Sequence, residues 1–83
     1  MRLPRDISGG ELAKRLEKYG YRITRQTGSH VRLTTTLQGE HHVTVPSHDC
    51  LKIGTLSGIL NDVAAHFKMG KSDLVDELFR SPQ

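Results

Sequence analysis

The sequence is poor in cysteine and in aromatic residues. Cys50 is its one thiol, tryptophan is absent, and two tyrosines and two phenylalanines are the only aromatic rings besides histidine. A lone thiol excludes an internal disulfide framework and a multi-cysteine metal site, and it suits a reducing cytoplasm. No apolar run approaches the roughly 20 residues that span a bilayer. The opening M-R-L-P-R-D-I-S-G-G lacks the apolar stretch of a secretory signal. The expectation is therefore a cytoplasmic protein that neither enters nor crosses a membrane. G-x-G-x-x-G, the phosphate-binding G-x-x-x-x-G-K-[ST] and H-E-x-x-H are all missing. No cofactor or metal is expected.

What remains is an ordinary folded composition: 35% apolar and 25% charged over 83 residues. That length predicts a single domain over 1–83, with a core over about 3–65 and a helical extension over about 66–80. The net charge of +3 is unevenly spread: residues 1–40 carry eight Lys/Arg against four Asp/Glu, residues 41–83 four against five. A basic half suits an anionic partner, nucleic acid among them.

Ser8-Gly9-Gly10-Glu11 matches the S-x-x-E capping box of a helix start. Leu12, Leu16 and Tyr19 then share one helical face, and Gly20 suits the position just past its end. The spacing predicts a first helix over about 9–19. Three strands with period-two alternation follow. In the first, Tyr21 and Ile23 alternate with Arg22, Thr24 and Gln26. In the second, Val31, Leu33 and Leu37 alternate with His30, Arg32, Thr34 and Thr36. In the third, Val43 and Val45 alternate with His42 and Thr44. Short turns at Thr27-Gly28-Ser29 and Gln38-Gly39-Glu40 predict antiparallel hairpins. Pro46 closes the third strand. Thr55 is read as the cap of a second helix with Leu56, Ile59, Leu60, Val63 and Phe67 on one face. Gly58 within it costs about 1 kcal/mol relative to alanine, which suggests close packing there. Ser72 is read as the cap of a short third helix carrying Leu74, Val75, Leu78 and Phe79.

The expected fold is therefore α+β, in the order α-β-β-β-α with an extra C-terminal helix. It is a three-stranded antiparallel sheet with helices on one face, the layout of the double-stranded RNA-binding domain. Strand parity puts His30 and Arg32 on the open face, with His42 and Thr44 on the same side.

The residues that could carry chemistry lie in R-Q-T-G-S-H-V-R-L, residues 25–33. Histidine titrates near neutrality and can move a proton. Arginine grips phosphate through forked, charge-assisted hydrogen bonds. His30 between Arg25 and Arg32 supplies both. Gly28 would let backbone approach a phosphate, and Ser29 could donate a hydrogen bond. The alternative is that His30 is a structural or merely contacting side chain. Lys14 and Lys18 on the first helix could add RNA contacts, or simply form a solvated face. His41, His42 and His48 do not read as a metal site, since adjacent strand residues face opposite ways; solvated histidines are expected. Cys50 has no evident catalytic partner. Gly54-Thr55 could hold a phosphate at a helix start, but an ordinary cap is favoured.

Taken in order, E-L-A-K-R-L-E-K-Y-G-Y, R-Q-T-G-S-H, V-T-V-P-S-H and L-K-I-G-T-L-S-G-I-L resemble the HicA toxins, the YcfA-like family of bacterial and archaeal toxin–antitoxin systems. The resemblance covers about residues 3–65. It implies an endoribonuclease that cleaves mRNA without a metal, a fold like the double-stranded RNA-binding domain, and a HicB-like antitoxin that covers the active site. It implies that His30, in the G-S-H motif, is the catalytic histidine, with Gly28 and Ser29 forming the motif's turn. His48 matches the family's histidine after V-P, with no role assigned. One departure is Ser57, where the family often carries a basic residue after G-T-L. A non-catalytic RNA-binding module of the same fold, or a subunit that acts only through a protein partner, are the competing expectations.

Overall fold

The computed structural model describes residues 3–80. In chain order it contains α1 (Gly9–Leu16), continued by a 3-10 turn (Glu17–Tyr19), then β1 (Arg22–Thr27), β2 (His30–Thr35), β3 (His41–Pro46), α2 (Ile53–His66) and α3 (Lys71–Phe79). The strands form one antiparallel sheet in the order β1-β2-β3. Val31, Leu33, Val43 and Val45 are buried beneath the helices, while Arg32 and Thr44 between them are exposed. One face is therefore covered and one open, the α+β arrangement that the pattern predicts.

Local chemistry explains the first helix. The Ser8 hydroxyl accepts the Glu11 N–H at 3.0 Å, half of a capping box. The Glu11 carboxylate turns instead to Arg15, one helical turn on, at 3.0 Å. Gly20 ends the helical turn in the left-handed region at φ 83°. Leu12, Leu16 and the fully buried Tyr21 then join Leu56, Leu60, Val63 and, from α3, Leu74, Val75 and Leu78 in one core cluster. Helix α3 is thus part of the same core as the sheet. Arg15 ties it down, donating to the Leu78 carbonyl at 2.7 Å while its guanidinium sits 5.4 Å from the Phe79 ring centroid.

Several details depart from the sequence reading. Helix α2 begins at Ile53 with Lys52 as its extended N-cap, and Leu56 donates to the Lys52 carbonyl at 2.9 Å. Thr55 thus lies inside the first turn and is not the cap. Helix α3 likewise begins at Lys71 after an extended Gly70, whose carbonyl accepts from Leu74, so Ser72 is a helical residue and not the cap. Strand β2 stops at Thr35, and Leu37 is half exposed. Thr35 takes the buried position instead, since its hydroxyl finds the Tyr19 carbonyl at 2.8 Å. A Cβ on Gly58 would meet open space, so no close packing requires that glycine.

His41 also departs from the expectation of a solvated histidine. It lies on the covered side at the sheet's rim, where the Tyr21 hydroxyl meets its Nδ1 at 2.7 Å. Its ring stacks on His66 with centroids 4.5 Å apart, and the His66 Nε2 sits 2.9 Å from the Leu37 carbonyl oxygen. Burial and the neighbouring His66 lower the His41 pKa. Burial pushes the Tyr21 hydroxyl up to about 12.

Candidate functional site

The G-S-H segment makes a two-residue hairpin turn. Gly28 has φ 55° and Ser29 does not share that sign, the pattern of a type II′ turn, which places glycine first. Thr27 and His30 close the hairpin as cross-strand partners. Nothing lies within 4 Å of where a Gly28 Cβ would be, so the left-handed backbone, rather than crowding, calls for glycine, and the turn is open to solvent. A second anchor holds it from the other side: Ser47 N–H donates to the Ser29 carbonyl at 2.6 Å. Beyond it, Gly9 N–H donates to the His48 carbonyl at 2.9 Å, joining the start of α1 to the end of β3.

The decisive local feature is a β-bulge in β1. Arg22 pairs with Thr34 and Ile23 with Leu33, but the next pairs are Arg25 with Arg32 and Thr27 with His30. Thr24 is the extra residue. Strict alternation continued through β1 would put Arg25 on the same face as Ile23, toward the helices. The bulge shifts the phase by one, so Arg25 reaches the open face beside Arg32 and His30. Arg25, Thr27, His30, Arg32 and Thr44 line one shallow depression of about 240 Å³ there. Ile23, meanwhile, is 60% exposed, because α1 does not cover the edge strand at that point. Alternation alone would place it in the core beside Tyr21; it lines instead an apolar groove between α1 and β1.

The electrostatics of the depression are one-sided. Arg25 and Arg32 are direct cross-strand partners, a like-charge pairing that disfavours the sheet. Among the described residues the ion pairs are Arg15–Glu11, Lys18–Glu77 and His42–Glu40, and neither arginine takes part. Two forked cations thus stand side by side with an exposed imidazole one rung away. Such a surface can bind a phosphate and pass a proton to or from an oxygen on it.

The remaining sequence-predicted residues lie elsewhere. Lys14 borders the apolar groove. Lys18 is engaged on the helical side, 3.0 Å from the Glu77 carboxylate, and that partner lowers the Glu77 pKa. His48 sits in the exposed loop after β3. Cys50 is exposed, with its thiol 3.2 Å from the Arg5 carbonyl. Gly54 and Thr55 fall within the first turn of α2. Ser57 accepts a hydrogen bond from the Lys71 ammonium, so α3 delivers a positive charge to the position where the sequence lacks one. Among the described residues no group of three metal-binding side chains forms, and no helix is long and apolar enough to cross a membrane.

Sequence reading missed a row of hydrogen bonds next to the arginines. The Thr24 and Thr34 hydroxyls are 2.8 Å apart, Thr34 Oγ1 is 2.7 Å from His42 Nδ1, and His42 Nε2 is 2.9 Å from the Glu40 carboxylate. Alternation already puts Thr24 and Thr34 on the open face, but the hydrogen bonds between these side chains leave no signal in it.

Searches of curated proteins and of solved structures each return no match. A family model described as HicA toxin of bacterial toxin-antitoxin matches residues 9–64, a span that runs from the start of α1 through the bulge, the G-S-H turn and all three strands into α2. With more than half of the chain matched, including the whole sheet that carries the histidine and its two arginines, the protein belongs to the HicA toxin family of bacterial toxin–antitoxin systems.

Proposed function

We propose that this toxin is an endoribonuclease that cleaves mRNA and so inhibits translation in the cytoplasm, with His30 as its proton-transfer group. The observation that carries this reading is the unpaired cross-strand couple Arg25–Arg32 beside the exposed His30. A like-charge couple that weakens the sheet makes sense where an anion completes it. His30, acting as base, takes the proton of a ribose 2′-hydroxyl. The 2′-oxygen attacks the adjacent phosphorus, forming the O2′–P bond and breaking the P–O5′ bond. The products are a 2′,3′-cyclic phosphate and a 5′-hydroxyl, whose proton comes from the imidazolium or water. Arg25 and Arg32 neutralise the phosphorane charge as it develops. Gly28 and Ser29 keep the turn narrow enough for the strand to approach His30. Lys14 and Lys18, outside the depression, supply longer-range attraction to RNA. No metal or cofactor enters this scheme. A toxin of this class pairs with an antitoxin; we take that partner to be HicB-like and to cover the depression.

The test is cleavage of RNA by purified protein, with and without EDTA, beside a folded His30→Ala variant. The expected result is cleavage that survives EDTA and falls about 100-fold or more in the variant. DNA, or a 2′-deoxy residue at the cut, should resist. Equal activity of both proteins would refute the role of His30. RNA binding without cleavage by either would favour the binding-module reading.

A further inference from the structure

The open face holds a second organised element that the cleavage chemistry does not use. Three rungs run along it: His30 with Thr27 and Pro46, Arg32 with Arg25 and Thr44, and Thr34 with Arg22 and His42. Thr24, displaced by the bulge, joins the last rung through the Thr34 hydroxyl. His30 and Thr34 are four residues apart on β2, about 13 Å at strand rise. His42, the cross-strand partner of Thr34, is therefore too far away to share a phosphate with His30. It cannot be the second acid or base of the same reaction.

Its geometry suits another task. Both ring nitrogens are occupied in the ring plane, Nε2 by Glu40 and Nδ1 by Thr34. The bonding works in either protonation state. With neutral His42, Nε2–H donates to Glu40 and the Thr34 hydroxyl donates to Nδ1. With protonated His42, Nδ1–H donates to Thr34, which donates to Thr24, which in turn reaches the Arg32 carbonyl at 3.4 Å. The edges are tied, but the side chain remains 36% exposed. The ring faces are what it can offer. Glu40 repels phosphate on the β3 side of this rung, while Arg22 on β1, in line with Arg25, attracts it, so the phosphates follow the arginines and leave the His42 ring to a base. Stacking on histidine or on arginine planes is a recognised way to hold unpaired bases. The two tyrosines and two phenylalanines lie in the helical layer or at its rim, packed into or against the core beneath the sheet, so the open face must rely on imidazole and guanidinium instead.

We propose that the Thr34–His42–Glu40 rung is a second nucleotide subsite, in which the fixed His42 ring stacks a base of single-stranded RNA whose phosphates cross Arg25 and Arg32 to reach His30. This rests on the RNA-cleavage reading and adds a footprint to it. The 13 Å span corresponds to about four stacked nucleotides, and to fewer in an extended strand. A rigid duplex, with its bases stacked inside, offers no free base to this ring.

The experiment compares a dinucleotide and a hexanucleotide of 2′-O-methyl RNA, which cannot be cut by 2′-hydroxyl attack. Binding is read by fluorescence anisotropy for the wild type, His42→Ala and Glu40→Gln. The hexanucleotide should bind the wild type more tightly than the dinucleotide. His42→Ala should weaken the hexanucleotide by about fivefold or more and leave the dinucleotide unchanged. Glu40→Gln, which loosens the ring without removing it, should fall between. With cleavable RNA the same variants should raise KM for the longer substrate and spare kcat. Equal behaviour of wild type and His42→Ala, an equal loss at both lengths, or duplex binding as tight as single-strand binding would each overturn the subsite. Length-dependent binding that His42→Ala abolishes, from a wild type that cuts no RNA, would keep the subsite and remove the nuclease reading. Cleavage that depends on His30 but ignores His42 would do the reverse.

Discussion

Two glycines, both inside helices, should answer the same substitution with opposite signs. An alanine Cβ at Gly9 would lie 1.8 Å from the Pro46 carbonyl oxygen and 2.9 Å from its carbon, where ordinary contact begins at 3.4 Å. Both atoms are backbone, so the start of α1 and the end of β3 must separate by about 1.6 Å. That movement breaks the Gly9 N–H bond to the His48 carbonyl, which contributes about 1 kcal/mol. It also opens the packing around the buried Ile7 and Val45. Together the loss should be about 2 kcal/mol or more. For a domain of this size each kcal/mol moves Tm by about 4–8 °C. At Gly58 a Cβ enters open space, and alanine should gain about 0.8–1 kcal/mol from helix propensity. Thermal unfolding followed by circular dichroism should therefore show Gly9→Ala falling by about 10 °C and Gly58→Ala rising by about 4–8 °C. Pro46 is also the cross-strand partner of His30, so Gly9→Ala should cut RNA cleavage as well, while Gly58→Ala leaves it intact. A neutral Gly9→Ala, or a destabilising Gly58→Ala, would refute the packing argument.

The remaining expectations concern charge. Phosphate or sulfate should raise the Tm of the wild type by binding between Arg25 and Arg32, and Arg25→Ala should abolish that rise while itself being neutral or slightly stabilising, since it relieves a like-charge pair. RNA affinity should fall steeply with salt, and the slope of log K against log salt should shrink by about 0.7 for each arginine removed. Tyr21 holds its proton to about pH 12 in the fold, whereas an unfolded tyrosine loses it near 10. Its contribution is therefore complete below pH 10 and is lost as pH rises from 10 to 12; Tyr21→Phe should flatten that limb in melts over this range. His41 has the opposite sign of shift: its lowered pKa favours the neutral ring, so stability should decline as pH falls below about 6.5, less steeply in His41→Gln.

Much of the fold was legible in the sequence because burial imposes periods. The alternation of Val31, Leu33, Val43 and Val45 placed two strands correctly, and with them the open-face positions of His30 and Arg32. Helix ends were less legible. Thr55 and Ser72 are good capping residues by type, yet Lys52 and Gly70 hold those places, where the preceding backbone is already extended and packing sets where the helix starts. Strand β1 was the least legible, being an exposed edge in which neither Ile23 nor Arg25 follows the burial rule. The candidate site was read as a set of neighbours in sequence, and three of them, Arg25, His30 and Arg32, do meet. Their meeting depends on an irregularity that composition cannot show. The His42 row lies on regularly paired strands, but its hydrogen bonds to Thr34 and Glu40 depend on side-chain rotamers that alternation does not encode. Lys14 and Lys18 share only their charge with the site, since α1 and the 3-10 turn after it carry them elsewhere.

The bulge has a consequence for how this chain tolerates change. Most single substitutions in β1 alter one side chain at a solvent-exposed edge. Removing Thr24 would leave Ile23 opposite Leu33 and Arg25 opposite Arg32, a regular ladder in which every residue keeps its present face. What would go is the Thr24 hydroxyl, with its contact to Thr34 at 2.8 Å. The place of a lost residue thus matters more than its chemistry: a deletion at Thr24 keeps the arginine couple, whereas one at Gln26, absorbed by drawing Thr24 into the ladder opposite Arg32, would turn Arg25 toward the helices.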